Sequence, residues 1–273
     1  MHTYDRNYFK IALPAALEGL FMILLASTDL IMVGALGALS IAAVSIFMQP
    51  RLILLCFSRS LASSVTLLVS QKAGAGDTNG TSDIMKKSLT LCAIFMGLLH
   101  ILFYIFLDDI FYLMGANDEY MAEAMAYGPI ALAAVYVTSL TLILQAVQLG
   151  YGRTSVIMKT NVCGNVVNLA LNALLIFGFG PIPSLGVTGA AIGTLVSTIF
   201  TLAWTTWILK NESFFSGGSY LPDRAYFHRM MPIILSILSE QGSERVGMVL
   251  FSRMAAGLGT IPFAVHSICM NIS

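Results

Sequence analysis

The sequence predicts an all-α integral membrane protein, and three observations support this fold class. Hydrophobic residues make up 57% and charged residues 10% of the 273 positions, whereas soluble domains average about 25% charged residues. Apolar stretches long enough to cross a bilayer as helices follow one another along the chain. A segment near the N-terminus recurs near residue 233, as in membrane proteins built from two similar halves.

Seven apolar stretches and the beginning of an eighth predict the transmembrane helices, which we call the first to eighth spans. The first, at about residues 8–36, exceeds the ~7 to 15 residue core of a cleaved signal peptide, so we expect it to stay in the membrane. The next six predicted ranges are 41–70, 84–107, 122–150, 156–179, 187–209 and 229–256, and the eighth starts at Pro262.

The order of these spans divides the chain into three predicted regions. Residues 1–210 form an N-terminal six-helix transmembrane bundle, and residues 228–273 start a truncated second bundle containing helix 7 and part of helix 8. A cytoplasmic linker, residues 211–227, separates them. Its Ser, Gly and Phe content predicts a flexible connection.

The distribution of basic residues predicts the orientation. Ten Lys and Arg residues lie in the N-terminal stub and after the second, fourth and sixth spans, whereas the alternate loops contain none. Cytoplasmic loops carry an excess of such residues, so we expect a multi-pass protein with a cytoplasmic N-terminus. The ten are Arg6, Lys10, Lys72, Lys86, Lys87, Arg153, Lys159, Lys210, Arg224 and Arg229.

Composition and motifs also exclude several classes of function. The formal net charge is zero, which argues against a nucleic-acid partner because neutralising phosphates requires a basic excess. The four cysteines are scattered singly through apolar spans without metal-ligand spacing. No Ser/His/Asp set and no phosphate-binding glycine loop stands out. We therefore expect neither an enzyme nor an ATP-driven pump, and no cofactor or bound metal.

The internal repeat can be seen when the two segments are compared position by position. Residues 11–48, shifted by 222 positions, fall on residues 233–270 with ten identities. One identical pair is Glu18 and Glu240. Placing a glutamate inside an apolar span costs free energy, so its recurrence by chance is not expected. We therefore expect two similar halves, with most of the second half missing from this chain.

Asp29 is the strongest candidate for a functional residue. It lies deep in the first span with no basic residue within one helical turn. A carboxyl group removed from water can exchange a proton near neutral pH or take a sodium ion. The alternative is that Asp29 caps the helix or hydrogen-bonds a neighbouring span. We favour function, because intramembrane acids usually have one.

Glu18 and Pro14 belong to the same span. Eleven positions separate Glu18 from Asp29, which places both side chains on one helical face and predicts that they line one interior surface. Pro14 lies one turn before Glu18 and should bend the helix. A proline near the end of a span is as often inert.

Other polar residues inside the spans form three groups. Asn168 and Asn172 are one turn apart in the fifth span, where amides either ligate a cation or bind helix to helix, and Thr194 in the sixth span is a polar lining candidate. Arg51 requires a partner such as Glu18 or an aqueous cavity. In the seventh span Glu240 and Glu244 predict a polar interior face, with a structural ion pair nearly as plausible.

Four segments resemble the multidrug and toxic compound extrusion (MATE) transporters. They are residues 12–37 (ALPAALEGLFMILLASTDLIMVGALG), 71–77 (QKAGAGD), 113–119 (LMGANDE) and 168–193 (NLALNALLIFGFGPIPSLGVTGAAIG). The resemblance implies a twelve-helix antiporter of two six-helix bundles in the cell membrane. Such a protein exports organic cations or other amphipathic small molecules against inward proton or sodium flow.

The resemblance also implies roles for individual residues. Asp29 matches the coupling carboxylate of the first helix, Pro14 its helix-bending proline, and Asn168 a polar ligand in the fifth helix. Asn172 stands where several members carry aspartate, which leaves a single-carboxylate site centred on Asp29. Glu240 occupies a position where acids occur in the second half of the family.

Two other functions remain open from the sequence. A related flippase for lipid-linked saccharides shares the fold and the repeat, and a basic cavity around Arg51 and Arg59 would favour it. A non-transporting membrane fragment is the contrasting class, because transport would need the missing C-terminal bundle as the second wall of the cavity. In every case the expected surroundings are membrane lipid.

Overall fold

The computed structural model describes Gly19 and residues 28–179 and 183–272, and these residues are predominantly helical. Residues 28–34 are the described helical part of the first span. Numbered from the second span onward, the helices are α1 (Ala38–Ile46), α2 (Met48–Gly74), α3 (Thr78–Ile105), α4 (Leu107–Met114), α5 (Asp118–Gly150), α6 (Thr154–Phe177), α7 (Gly186–Asn211), α8 (Arg224–Ala256) and α9 (Thr260–Ile272).

The membrane-spanning character expected from the sequence is confirmed for the described residues. Five helical segments there are long and apolar enough to cross a bilayer: α1 with α2, α3, α5, α6 and α7. They correspond to the predicted second to sixth spans. The six-helix bundle stays a prediction, because most of the first span, including Pro14 and Glu18, lies outside the described residues.

Helix α8 covers the predicted seventh span but differs from these five segments in composition. It extends over 33 residues, enough to cross a bilayer by length. Its middle contains Glu240, Glu244 and Arg245 within six positions, and charged side chains oppose placement in hydrocarbon. Length alone therefore does not make α8 an apolar span.

The predicted second span consists of two helices rather than one. Helix α1 ends at Ile46, Phe47 forms the joint, and α2 begins at Met48. Pro50 lies in the first turn of α2. Its ring would collide with the carbonyl of Ile46 in a continuous helix, and it has no N–H to donate, so the break places proline where a helix tolerates it.

A short helix that was not predicted, α4, follows the third span. Leu107, Phe111 and Met114 are buried at helical spacing, while Asp108 occupies the first turn, where the helix dipole favours an acid. The helix ends at Gly115, whose φ of 98° is a left-handed conformation that glycine adopts without strain.

Helix α5 occupies the centre of the bundle. It packs against α1, α2, α3 and α7, and α6 pairs with α7. Aromatic side chains fill the contact with α1 and α4, where the Phe47 ring meets Phe111 and Tyr127 edge-on at centroid distances of 6.4 and 5.9 Å. This arrangement positions the polar side chains of α6 and α7 beside residues 28–34.

Residues between α7 and α8 lie against α3. The Ser82 hydroxyl donates to the carbonyl oxygens of Phe214 and Gly217 at 2.6 and 3.0 Å, and Lys86 Nζ donates to Gly217 O at 2.5 Å. The predicted linker is thus folded onto the first bundle over these residues. The predicted region boundaries, 1–210, 211–227 and 228–273, stay predictions.

Candidate functional site: a carboxylate and two amides between helices

The structure brings Asp29, Asn168, Asn172 and Thr194 together. Asn168 and Asn172 lie one turn apart on α6 and are both buried, with Asn172 only 2% exposed. Thr194 faces them from α7, and Asp29 approaches from the helical residues 28–34. Residues from three separate segments therefore form one polar cluster, which we call the Asp29 cluster.

Hydrogen bonds connect the four side chains in sequence. Nδ2 of Asn172 donates to Oδ1 of Asp29 at 3.0 Å and also to Oδ1 of Asn168 at 3.3 Å. Nδ2 of Asn168 donates to Oγ1 of Thr194 at 3.3 Å. The Thr194 hydroxyl in turn donates to the backbone carbonyl of Ala190 at 2.9 Å. This continuous path allows the polar groups to compensate for their removal from water.

The Asn168 amide can serve Asp29 in two orientations. With its oxygen 3.0 Å from Asp29 Oδ2, it requires a protonated carboxyl group as the donor. Rotated by half a turn, its nitrogen donates to the ionised Oδ2, and its oxygen accepts from the Thr194 N–H and hydroxyl at 3.2 and 3.3 Å. The second orientation is the favoured one, because in the first the Asn168 nitrogen faces the Thr194 N–H, two donors 3.2 Å apart.

Close helix contact makes room for the Asn172 amide. A Cβ on Gly193 of α7 would lie 2.2 Å from Asn172 Oδ1, and one on Gly189 would lie 2.5 Å from the backbone oxygen of Leu175. Larger residues would separate α6 from α7. Asn172 Oδ1 is buried and has no hydrogen-bond partner among the residues that the structure describes, so within them the cluster keeps one unused acceptor oxygen beside Asp29.

Apolar and charged neighbours complete the surroundings of Asp29. Val33, Ile176 and Ala190 form a small buried cluster against which Tyr127 of α5 packs. Arg51 of α2 lies near enough for its positive charge to act on Asp29 and Tyr127. The Arg51 side chain is exposed.

The donor set defines the chemistry available to the Asp29 cluster. Asp29 contributes the one carboxyl group of the four side chains, and the other groups are amides and a hydroxyl. Carboxylate, amide and hydroxyl oxygens suit a proton or a hard cation such as sodium. Within the described ranges, no group of three or more His, Cys, Asp or Glu could hold a metal ion.

The remaining predicted site residues do not join this cluster in the described part of the chain. Glu240 and Glu244 are exposed on α8, which packs against α2, α4 and α9. Pro14 and Glu18 lie outside the described residues, so the predicted pairing of Glu18 with Arg51 stays a prediction.

Sequence reasoning missed the position of Tyr127 beside Asp29. Its ring borders the small apolar cluster and lies within electrostatic reach of both Asp29 and Arg51. A single tyrosine in an apolar helix carries no periodic signal, and core packing explains it equally well. Only the crossing of α5 with residues 28–34 shows that it borders the carboxylate.

Comparisons with known proteins agree with this architecture. A family model described as MatE matches residues 14–174. The probable multidrug resistance protein NorM of Rhizobium meliloti is 26% identical over 280 residues, covering 99% of this chain and 59% of that protein. An FAD transporter of Shewanella oneidensis is 27% identical over 210 residues, covering 75% of this chain and 45% of that protein.

Solved structures show the same fold at low identity. The Vibrio cholerae MATE transporter VcmN in its bent form has a TM-score of 0.81 at 20% identity, covering 98% of this chain and 64% of that one. An inward-facing multidrug resistance MATE family transporter has a TM-score of 0.79 at 24% identity, covering 91% and 57%. The chain thus spans about half to two thirds of the length of these proteins.

Proposed function

Because this chain belongs to the multidrug and toxic compound extrusion (MATE) family of membrane transporters, we propose that it contributes the ion-coupling part of a secondary antiporter. The family is one of transporters and not of enzymes. The observation that carries the proposal is the hydrogen bond of 3.0 Å between Asn172 Nδ2 and Asp29 Oδ1. This contact supports the proposal, because a hydrogen-bonded amide can stabilise a carboxyl group that is removed from water.

In this proposal Asp29 carries the coupling ion. The carboxylate takes up one proton or one sodium ion from outside and releases it to the cytoplasm. The Asn168 nitrogen donates to the ionised Asp29 Oδ2 at 3.0 Å, and this bond weakens when Asp29 takes up its ion. Asn172 is an amide, so the four side chains exchange a single unit of charge in each cycle.

The proposed substrates are amphipathic organic compounds. The support is the relatedness to proteins named for multidrug resistance. Export would require a second bundle to complete the cavity, followed by rocking of the two bundles about it. The proposed orientation, with a cytoplasmic N-terminus in the plasma membrane, rests on the distribution of Lys and Arg between the loops.

A chimera tests the role of Asp29 in transport. Residues 1–273 would be followed by the remaining C-terminal part of the Rhizobium meliloti relative, and efflux of a cationic dye would be measured in cells. Asp29→Asn should abolish efflux at unchanged membrane expression. The matched control, Asp109→Asn, removes an exposed acid from the first turn of α4 and should retain efflux. Efflux that persists in Asp29→Asn would refute the assignment.

The same chimera distinguishes the two coupling ions and two substrate chemistries. Efflux that depends on sodium at fixed pH would identify sodium, and dependence on the proton gradient alone would identify the proton. Competition between the dye and flavin adenine dinucleotide would reveal whether the cavity accepts a polyanion. Without such competition, the substrates would be restricted to the dye class.

A further inference from the structure

Helix α8 is attached to the first bundle at both ends, and the attachment at its N-terminal end is extensive. Lys87 Nζ, on a side chain that is 9% exposed, lies 2.7 Å from Asp83 Oδ2 and 3.1 Å from Asp223 Oδ2. The Ser88 and Tyr226 hydroxyls are 2.8 Å apart. Together with the contacts of residues 214–219 on α3, these bonds form what we call the linker clamp.

Within the linker clamp, the backbone of the linker approaches that of α3 as closely as glycine permits. A Cβ on Gly218, whose φ is +67°, would lie 2.5 Å from Asp83 Cα. The backbone N–H of Ser219 donates to Asp83 Oδ1 at 2.9 Å. Separating the linker from α3 would therefore expose a buried lysine and break several bonds together, so the clamp is the permanent attachment of α8.

The polar attachment at the other end of α8 depends on one hydroxyl group, beside apolar contacts that bury Ala256 and Phe263 in the core. Asn117 Nδ2 donates to Thr260 Oγ1 at 3.1 Å, and the Thr260 hydroxyl donates to the Glu119 carboxylate. Asn117 caps the N-terminus of α5 and Thr260 begins α9. Glu119 is exposed to solvent. Water can therefore replace these bonds at little cost, in contrast to those of the clamp.

Gly115 brings the two loops into contact beside this hydroxyl. Its φ is +98°, and a Cβ there would lie 2.8 Å from the Cβ of Ala256. Both loops belong to the side without Lys or Arg, which the sequence predicts to be non-cytoplasmic. The contact therefore closes the gap between the first bundle and the α8–α9 turn on the predicted outer face.

Between the two attachments α8 is loosely packed. An apolar cavity of about 390 Å³ separates it from α2, lined among others by Ile53, Phe57, Leu238 and Val246. Cβ atoms added at Gly242 or Gly247 would meet nothing within 4 Å. Although α8 packs against α2, the cavity leaves space for it to move.

We propose that α8 pivots about the linker clamp and that the bonds of Thr260 to Asn117 and Glu119 are a reversible latch on the outer face. Closed, the latch seals the outer ends of α5 and α8; released, it lets them separate. This inference rests on the proposed function, because alternating access requires an outer closure that opens. The clamp contains a buried ion pair, whereas the polar bonds of the latch include an exposed carboxylate, and this difference favours movement at the outer end.

A buried reporter cysteine tests the latch in the chain itself. Ser252 lies on α8 one turn before Ala256 and is 7% exposed, so Ser252→Cys is a conservative probe. In membranes that contain a chain with Cys163→Ser and Cys269→Ser, a membrane-impermeant maleimide would be added from outside. Thr260→Val removes the hydroxyl and keeps the side-chain shape, whereas Thr260→Ser keeps the hydroxyl.

The expected result is labelling of Ser252→Cys about fivefold faster with Thr260→Val, as the loss of roughly one net hydrogen-bond energy allows. Thr260→Ser should label at the unmodified rate. A control cysteine at Leu258, which is 75% exposed, should label equally in all variants. Equal labelling of Ser252→Cys in the Val and Ser variants would overturn the latch.

A second measurement tests the pivot and separates the latch from the transport proposal. A spin label at Ser216→Cys, on an exposed position of the linker, should have the same mobility with Thr260→Val and Thr260→Ser, whereas higher mobility in the Val variant would overturn the fixed pivot. Neither readout needs substrate or an ion gradient. Unchanged labelling with intact Asp29-dependent efflux refutes the latch alone, and faster labelling without Asp29-dependent efflux refutes only the coupling role.

Discussion

Nδ2 of Asn172 donates a hydrogen bond to Oδ1 of Asp29 over 3.0 Å, although 143 positions separate the two residues in the chain. The bond joins the end of the first span to the middle of the fifth. It gives the intramembrane carboxyl group a donor in place of water, so the amide is as much a part of the proposed coupling site as the acid.

Replacing Asn172 tests this dependence. Asn172→Leu keeps the approximate volume but removes the donor to Asp29 and to Asn168. Losing bonds to a charged group costs about 1.5–3 kcal/mol, so we expect dye efflux by the chimera to fall by about tenfold or more. The measurement is initial efflux rate as a function of external pH.

The matched control for Asn172→Leu lies on the same helix. Asn161 accepts a hydrogen bond of 2.6 Å from Gln145 Nε2, so Asn161→Leu removes a comparable bond elsewhere on α6. We expect it to lower thermal stability while the pH dependence of efflux stays unchanged. Equal effects of both variants on the pH profile would contradict a specific role for Asn172.

Gly193→Ala should disturb the Asp29 cluster without changing any polar group in it. The added Cβ would lie 2.2 Å from Asn172 Oδ1, so either the amide turns away or α7 shifts. Overpacking of this kind costs about 1–3 kcal/mol. We expect a lower midpoint of thermal unfolding in detergent, together with slower dye efflux by the chimera.

Gly247→Ala is the comparison for that substitution, because a Cβ at Gly247 meets nothing within 4 Å. Alanine in a helix interior is favoured over glycine by about 0.5–1 kcal/mol, so the midpoint should stay the same or rise. If Gly193→Ala also left the midpoint of thermal unfolding unchanged or raised it, the close approach of α6 and α7 at the cluster would be refuted.

The linker clamp should weaken in acid because of Asp223. The backbone N–H of Tyr226 and the Lys87 ammonium group lower the pKa of the Asp223 carboxyl below its ordinary value. An unfolded linker therefore binds a proton more readily than the folded one. The contribution of Asp223 is complete above about pH 4 and is lost as pH falls through the lowered pKa.

A spin label at Ser216→Cys measures this loss, because Ser216 is exposed within the linker. Its mobility should be low at pH 7 and rise as the pH falls below about pH 4. Asp223→Asn should raise the mobility at pH 7 and reduce the change on acidification. A label that is equally mobile in both chains at pH 7 would show that Asp223 does not hold the linker.

Much of the fold can be predicted from the sequence, because apolar runs of sufficient length identify the second to sixth spans and give their boundaries within a few residues. The break at Phe47 was not predicted, although Pro50 explains it locally. Helix α4 was not predicted either, because an eight-residue segment with two acids resembles a loop until Leu107, Phe111 and Met114 have a surface to pack on.

The sequence by itself determined that the chain crosses a membrane, that Asn168 and Asn172 share a face of one helix, and that Asp29 is an acid too costly to leave unpartnered in an apolar span. These conclusions follow from local periodicity and the cost of transferring charge from water. Only the tertiary structure decided that these residues and Thr194 meet, because a contact across 143 positions depends on how α5, α6 and α7 pack. It likewise showed that the Thr260 hydroxyl bonds to the loop before α5 and the first turn of α5, because hydrogen bonds between distant segments leave no periodic pattern in the sequence.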